Sequence, residues 1–380
     1  MVILVRNNLM FVRQKRGNME AFSYQFTALR GIQAGREYYV VMCPLKLIPR
    51  IFLFDEEEIP TELRAQRMLN RARVPEIARY LIENLQGYVF SSITASIDGD
   101  VTFQPMADSG PGRNVGTLIV PMQSRFLIND GQHRRAAVEE ALRIRPELGD
   151  ETLSVVFFVD AGLERSQQLF ADLNKYAVRP SRSIGILYDK RDARGQMTMG
   201  VIRDVPAFDG FIEMEKTNLG VRSPKLFTLS SVYEATVSLL GVRRGQKIPK
   251  ESLELARQYW KMLSAQIPEW GLLSAKKLTA PSLRSDYVHA HGVVLHALGI
   301  VGRDLIEQYP DTWMKKLESL RAINWSRTNA SIWEGRALEH GKVSKATKNV
   351  MLTANYIKKI LDLELNSEEA KHEREFTTQK

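Results

Sequence analysis

The sequence has little cysteine and no long apolar segment. Cys43 is the one cysteine of the chain, so no disulfide can form within it. No group of Cys and His residues has the spacing of a zinc finger, and we predict no metal site. No segment stays apolar for the roughly 18 residues that a membrane span needs. Arg6 interrupts the apolar start before the core of a signal peptide is complete. These absences predict a cytoplasmic protein that makes no contact with a membrane.

Positive charge is what the sequence has in excess. The 380 residues include 53 Lys and Arg against 44 Asp and Glu, a formal net charge of +9. This balance favours polyanionic partners such as nucleic acid, although many unrelated soluble proteins share it. The hydrophobic share of 44% is that of a folded globular protein, and the length suits two domains.

Patterns along the chain predict an α/β domain followed by a mainly helical domain. Residues 1–20 are basic with little hydrophobic pattern, which indicates a mobile arm or an extension ahead of the fold. Residues 21–185 alternate predicted strands and helices, and Asp98-Gly99 predicts a β-hairpin between residues 88–97 and 101–103. Helical periodicity dominates residues 186–365. Residues 366–380 are polar and charged with no apolar repeat, so we expect a disordered tail.

One turn between a predicted strand and a predicted helix is chemically distinctive. A glycine there lets the backbone bend sharply, so that N–H groups at the helix start face outward toward an anion. Six consecutive residues form this turn, hereafter the DGQHR turn: Asp130, Gly131, Gln132, His133, Arg134 and Arg135.

The side chains of the DGQHR turn suit phosphate. Arg134 and Arg135 carry permanent positive charge, and His133 can donate a hydrogen bond or relay a proton near neutral pH. Gln132 offers an amide donor and a carbonyl acceptor, and Asp130 can hold a metal ion or orient water. The plain structural alternative is that Asp130 caps the helix and that both arginines are merely exposed.

Basic side chains outside the turn form three further groups. The first is spaced by three and four residues along one predicted helix face, where guanidinium groups can pair bidentately with phosphate. The second follows a predicted helix and is placed to line the same anion site as the turn. The third lies in a basic connection between two predicted helices. For each group the alternative is a solvated helix face or a polar loop. In order, the groups are Arg64, Arg67 and Arg71; Asn174, Lys175, Arg179 and Arg182; and Arg243 and Arg244.

Histidine, tryptophan and cysteine residues elsewhere indicate core positions more than sites. Three neighbouring histidines have offsets that do not share one helix face at metal-ligand spacing. Two tryptophans near arginines can stack on nucleobases, but tryptophan in a helical domain usually fills core. These residues are His289, His291 and His296, and Trp325 and Trp333 with Arg327 and Arg336. We expect Cys43, which follows a predicted strand, to be a buried structural thiol rather than a redox sensor.

The residues around the turn carry a resemblance to a known family. Residues 126–137, FLINDGQHRRAA, match the signature of DGQHR-domain proteins. The chain closely resembles the DndB proteins of bacterial DNA phosphorothioation clusters over residues 21–363, including residues 22–31, 67–75, 88–97, 170–175 and 333–336. This resemblance implies a cytoplasmic DNA-binding regulator that represses transcription of the phosphorothioation operon. It does not imply a subunit that inserts sulfur.

The DGQHR turn also resembles the Gly-Glu-Arg-Arg turn of ParB-type domains and the Gly-Cys-His-Arg turn of sulfiredoxins, both of which hold nucleotide phosphates. This resemblance implies a ParB/sulfiredoxin-like fold for the N-terminal α/β domain. Gly131, His133 and Arg134 align with the sulfiredoxin turn. Gln132 stands at the place of its reactive cysteine, which argues against redox catalysis and leaves phosphate binding.

Three functions stay open at this point. In the first, a dimer or larger oligomer docks on the double-stranded DNA of its operon promoter, with other phosphorothioation proteins as further candidate partners. In the second, the turn binds ATP with Mg²⁺ for hydrolysis, with Asp130 and His133 as the catalytic residues. In the third, the protein only bridges components of a modification complex. No helix-turn-helix pattern and no obvious nucleophile are present, so the sequence identifies neither a DNA-reading element nor a covalent mechanism.

Overall fold

The chain divides into two compact units, Met1–Val178 and Arg179–Lys380, in its computed structural model. The structure describes residues 5–6, 9–10, 14–16, 19–52, 71–160, 165–175, 180–243 and 245–379. The sequence pattern placed the boundary at residue 185, a few residues farther along the chain.

Strands build the framework of the first unit. In chain order they are β1 Val5–Arg6, β2 Leu9–Met10, β3 Gln14–Arg16, β4 Met19–Ala21, β5 Ser23–Gln33, β6 Arg36–Pro44, β7 Ile93–Asp98, β8 Thr102–Pro105, β9 Val115–Pro121, β10 Arg125–Asp130 and β11 Thr152–Val159. β1 pairs with β2 and β3 with β4, within the predicted basic extension. The other seven form one sheet in the order β10-β7-β11-β6-β5-β9-β8. Neighbours in this sheet are antiparallel except β7 and β11, which are parallel, so the sheet is mixed.

The predicted hairpin across Asp98-Gly99 is wrong. Both segments are strands, but β7 pairs with β10 and β11, whereas β8 pairs with β9 at the opposite edge of the sheet. Five of the six residues of β7 are buried, while β8 is mostly exposed. Strands covered on both faces are typical of the inside of a sheet, which agrees with the place of β7 between β10 and β11 and of β8 at an edge. The turn pair predicts that the chain reverses, and burial decides which strands pair.

Helices and the DGQHR turn complete the first unit. The helices are α1 Ile48–Ile51, α2 Val74–Glu83, α3 Gln132–Ile144 and α4 Ser166–Lys175, with 3₁₀ turns at Arg71–Arg73, Pro111–Asn114 and Pro146–Asp150. α2 packs against α3 through Val74, Ala78 and Ala137. The succession of β10, DGQHR turn, α3 and β11 confirms the predicted strand, turn, helix and strand, and with it a mixed α/β class.

The second unit is mainly helical. Its helices are α5 Arg182–Tyr188, α6 Ala193–Asp204, α7 Leu229–Leu240, α8 Lys250–Ser264, α9 Pro268–Ser274, α10 Ala280–Asp286, α11 Gly292–Gln308, α12 Trp313–Lys316, α13 Ala330–Trp333, α14 Thr347–Ile360 and α15 Ser367–Gln379. Two short strand pairs complete the unit. β12 Ile212–Glu213 pairs with β13 Phe227–Thr228, and β14 Leu338–Glu339 pairs with β15 Lys342–Val343. 3₁₀ turns lie at Val288–Ala290 and Leu317–Ala322.

α7 and α11 cross at the centre of the second unit. A Cβ atom at Gly299 of α11 would lie 2.1 Å from the Ala235 carbonyl oxygen of α7, so a glycine is required for the two backbones to approach this closely. Trp260 is fully buried, and its Nε1 donates to Thr236 Oγ1 of α7 at 3.2 Å.

The C-terminal residues differ from the prediction of a disordered tail, because residues 367–379 form α15. α15 packs against α14, and Glu373 is buried in an ion pair with Arg336, at 2.6 Å. Composition indicated disorder because the segment has few apolar residues. Its anchor is ionic and lies far away in the sequence, so no local pattern reveals it.

Within the described part of the chain, no helix is long and apolar enough to cross a membrane.

Candidate phosphate-binding site

Gly131 makes the DGQHR turn possible. Its φ of +111° is a left-handed conformation that side chains rarely adopt. A Cβ atom at this position would lie 2.9 Å from Ile93 Cγ1 and 3.2 Å from Arg134 Nη2. The turn therefore requires glycine for both its backbone angle and its space, and it leads β10 directly into α3.

The first turn of α3 presents uncapped N–H groups. Gly131 is the N-cap residue and has no side chain to cap the helix, so Asp130 does not act as the cap. The Arg135 N–H donates to the Gly131 carbonyl at 2.9 Å, but the N–H groups of Gln132 and Arg134 have no acceptor among the described residues. An uncapped helix start with its partial positive charge is a ready site for an anion.

The Arg134 side chain is fixed by hydrogen bonds beside the DGQHR turn. Its Nη2 donates to Asp130 Oδ2 at 2.6 Å and to the Ser92 carbonyl at 3.0 Å. Its Nε is buried and has no acceptor in the described part of the chain. A bound anion would satisfy this donor, because buried polar atoms are normally hydrogen-bonded. The ion pair with Arg134 also engages the Asp130 carboxylate that the hydrolase hypothesis assigned to a metal ion or to water.

His133 lies among charges of both signs. Burial lowers its pKa from the usual value, the charges of Arg73 and Arg134 lower it further, and Asp130 opposes them. The ring is therefore mainly neutral at pH 7 and would take up a proton more readily beside a bound phosphate. Arg73 stands at the start of α2 and is exposed. No sequence pattern distinguishes Arg73, because α2 and α3 are distant in the chain and only their packing brings Arg73 near the turn.

The Arg135 guanidinium is occupied by contacts within the first unit. Its Nε and Nη2 donate to the carbonyls of Phe52 and Pro49, at 2.9 and 3.1 Å, and its Nη1 pairs with Glu139 at 2.7 Å. The side chain is 12% exposed. Arg135 therefore ties α3 to α1, and Arg134 and Arg73 are the arginines that the structure places around His133.

The remaining predicted contacts are spread over the chain. Asn174 and Lys175 are exposed at the end of α4, and Asn174 donates to the Phe170 carbonyl at 2.8 Å. Arg182 pairs with Glu234 in the second unit, and Arg243 is exposed there. Arg64, Arg67, Arg179 and Arg244 lie outside the described residues, and of Arg71 only the backbone is described.

The core predictions for histidine, tryptophan and cysteine are confirmed. Trp325 and Trp333 are buried and stack with ring centroids 5.4 Å apart. His289 is fully buried and accepts a hydrogen bond from Trp270 Nε1 at 3.1 Å. Cys43 is fully buried, and burial raises the pKa of its thiol to about 12. Across the described ranges, no three His, Cys, Asp or Glu residues are grouped to hold a metal ion.

Comparison with known proteins gives one match. A family model described as DndB, DNA-sulfur modification-associated, matches residues 26–364. The match begins in β5, includes the DGQHR turn and ends after α14. No curated protein and no solved structure matches the chain.

Proposed function

The chain belongs to the DndB family of DNA-sulfur modification-associated proteins, and from this we propose that it is a DNA-binding regulator that represses a DNA phosphorothioation operon. The observation that carries the proposal is the uncapped start of α3, where the N–H groups of Gln132 and Arg134 have no acceptor among the described residues and the charges of Arg73 and Arg134 act on His133. A backbone phosphate of DNA fits this arrangement, because it accepts hydrogen bonds from N–H groups and pairs with guanidinium groups.

The resemblance of the DGQHR turn to the turns of ParB-type domains and sulfiredoxins also supports a phosphate contact. We propose a ParB-like role for the first unit, in which the turn grips a phosphate. Phosphate contacts fix position and supply affinity but carry no sequence information. Sequence preference would come from other elements, and a symmetric dimer would suit an operator with two half-sites.

Further phosphate contacts are proposed along the rest of the basic surface. The net charge of +9 favours an extended polyanion over a single small ion. The proposed contacts comprise Arg64, Arg67, Arg71, Asn174, Lys175, Arg179, Arg182, Arg243 and Arg244. Other phosphorothioation proteins are proposed as partners of the DNA-bound form.

Arg73 gives a direct test of this proposal. We predict that Arg73→Gln weakens binding to a duplex of the operon promoter several-fold and lowers the slope of log affinity against log salt by about one. Arg79→Gln is the matched control, since Arg79 is exposed on the same helix, α2, and has the same charge. Fluorescence anisotropy across a salt series measures both variants. Equal losses for the two variants would contradict a phosphate contact at the turn.

ATP hydrolysis is tested by adding ATP and Mg²⁺ to the protein with promoter DNA and measuring phosphate release. We expect none above the rate in buffer, because the Asp130 carboxylate is paired with Arg134. Release that is stimulated by DNA and lost in His133→Ala would replace the regulator with a nucleotide hydrolase.

A further inference from the structure

The second unit contains a cavity of about 620 Å³, and Arg182 is the one lining residue that the proposed function also uses. It lies between the starts of α7 and α11, and α5, α10, β13, residues 217–219, Val221 and the segments around Arg327 and Lys345 contribute the rest of its wall. Its volume falls within the range of small-molecule sites in proteins. All of its lining residues belong to the second unit.

Positive charge dominates the wall of this cavity. Four cationic side chains line it, Arg182, Arg284, Arg327 and Lys345, and Glu234 is the one carboxylate among the described lining residues. Glu234 already pairs with both Arg182 and Lys345. The two other arginines form no ion pair with any carboxylate in the described part of the chain. The cavity is thus electropositive before any ligand binds.

Arg284 is the most deeply placed of these cations. Its side chain is 9% exposed, and its guanidinium donates to the carbonyls of Gly220, Val221 and Ser223 at 3.2, 3.0 and 2.9 Å. Arg327 donates to the Arg284 carbonyl at 3.1 Å. Carbonyl oxygens orient these groups but leave their charge uncompensated, which is costly inside a protein. An anion in the cavity would supply the missing charge.

The starts of α7 and α11 meet beside these arginines. A Cβ atom at Gly292, the first residue of α11, would lie 2.7 Å from Ser231 Oγ and 3.5 Å from Lys345 Nζ. The N–H groups of Gly292 and Val293 have no acceptor among the described residues. Glycine at this position lets the Ser231 hydroxyl group approach the start of α11 closely, beside the Lys345 ammonium group. An ammonium group, a hydroxyl group and free N–H groups in one place suit a phosphate oxygen.

His291, the N-cap of α11, adds a neutral polar group to the wall. Its Nε2 lies 2.8 Å from the Arg284 carbonyl, which can only accept, so Nε2 carries the proton. Burial lowers the pKa of His291 to about 4, so the ring does not add a positive charge at pH 7.

Apolar side chains form another part of the wall, namely Leu219, Val221, Leu226, Phe227 and Val343. A simple inorganic ion would leave this part unused, whereas a phosphorylated organic molecule fills both parts. We propose that the cavity binds a phosphorylated small molecule of about nucleotide size, with its phosphate at the starts of α7 and α11. This site is separate from the DGQHR turn and does not depend on the DNA-binding proposal.

Calorimetric titration of the full chain with inorganic phosphate, AMP and ATP tests the proposal. We expect saturable binding of AMP or ATP at one site per chain, tighter than that of phosphate. Lys345→Gln should weaken it about tenfold, as expected for loss of a charged hydrogen bond. Lys348→Gln is the matched control, because Lys348 is exposed nearby and does not line the cavity. Arg327→Gln is a second variant that should also weaken binding.

The outcomes separate the cavity from the turn and from DNA. Binding that Lys345→Gln weakens and that His133→Ala leaves unchanged supports the cavity, whether or not the protein recognises its promoter. Binding that His133→Ala abolishes and both cavity variants retain would assign the ligand to the turn and overturn the proposal. Absence of saturable binding for all three probes would also overturn the proposal. So would cavity variants that lose affinity for a DNA duplex but bind all three probes as the unaltered protein does.

Discussion

The half-buried ring of His133 reports directly on the charges around the DGQHR turn. Burial lowers its pKa, and so do the charges of Arg73 and Arg134, against the opposing charge of Asp130. We predict that Arg73→Gln raises the pKa of His133, because one of the charges that lower it is removed. NMR titration of the histidine ring protons, assigned with His133→Gln, measures the change. Arg79→Gln should leave the His133 pKa unchanged, and an equal response to both variants would place Arg73 away from the ring.

At the same scale, the sequence predicted the strand, turn and helix that form the DGQHR turn, but it did not predict which side chains lie near it. The DGQHR residues are contiguous, and a glycine between a strand and a helix has a defined physical role, so the turn could be recognised without a structure. Arg73 approaches His133 only because α2 packs on α3. Arg135 is adjacent to Arg134 and has the same side chain, yet its guanidinium contacts α1. The two side chains differ in direction because one step along a helix turns a side chain by about 100°.

Ion pairs join α15 to the rest of the second unit. Burial raises the pKa of Glu373, but hydrogen bonds and charges of Arg336 and Lys359 outweigh it and lower the pKa below the usual value. The stabilisation is therefore fully present above the unfolded-state pKa and is lost as pH falls through the lower folded-state pKa. Acid should release α15 from the rest of the second unit.

We predict that Glu373→Gln undocks α15 at neutral pH, because removing one partner of a buried ion pair costs about 3–5 kcal/mol. Hydrogen exchange read by mass spectrometry should show faster exchange across residues 367–379 in this variant, and the dependence of that exchange on acid should disappear. Glu375→Gln, which removes an exposed carboxylate from the same helix, is the control. Full protection of α15 in Glu373→Gln would show that other contacts, such as the buried Lys358–Glu369 ion pair, are enough to hold it.

Local sequence patterns predicted individual helices and strands better than they predicted which of these elements pack or pair together. The helical second unit, β6, β9 and β11 follow from periodicity and β-branched residues, which act over a few positions. The pairing of β7 and β8 and the docking of α15 depend on burial and on contacts that are distant in sequence. The cavity in the second unit escaped the sequence for the same reason: Arg182, Arg284, Arg327 and Lys345 come from four separate segments.

For the whole molecule, we propose one anion site in each of the two units, and the two sites differ in kind. The first unit presents an uncapped helix start with arginines around it, and the second encloses an electropositive cavity. An exposed turn suits a polymer that lies along a surface, whereas a cavity suits a small molecule. Membership of the DndB family connects the chain to DNA-sulfur modification, and the regulator role is the proposal that joins these features.

Comparing binding to the operon's own promoter with binding to a scrambled duplex of equal length, across a salt series, tests the central claim most directly. We predict that the promoter is bound at least about a thousandfold more tightly at physiological salt, as is typical of specific DNA-binding regulators. Equal affinities that fall together steeply with salt would mean nonspecific attraction to phosphate and would contradict the regulator role.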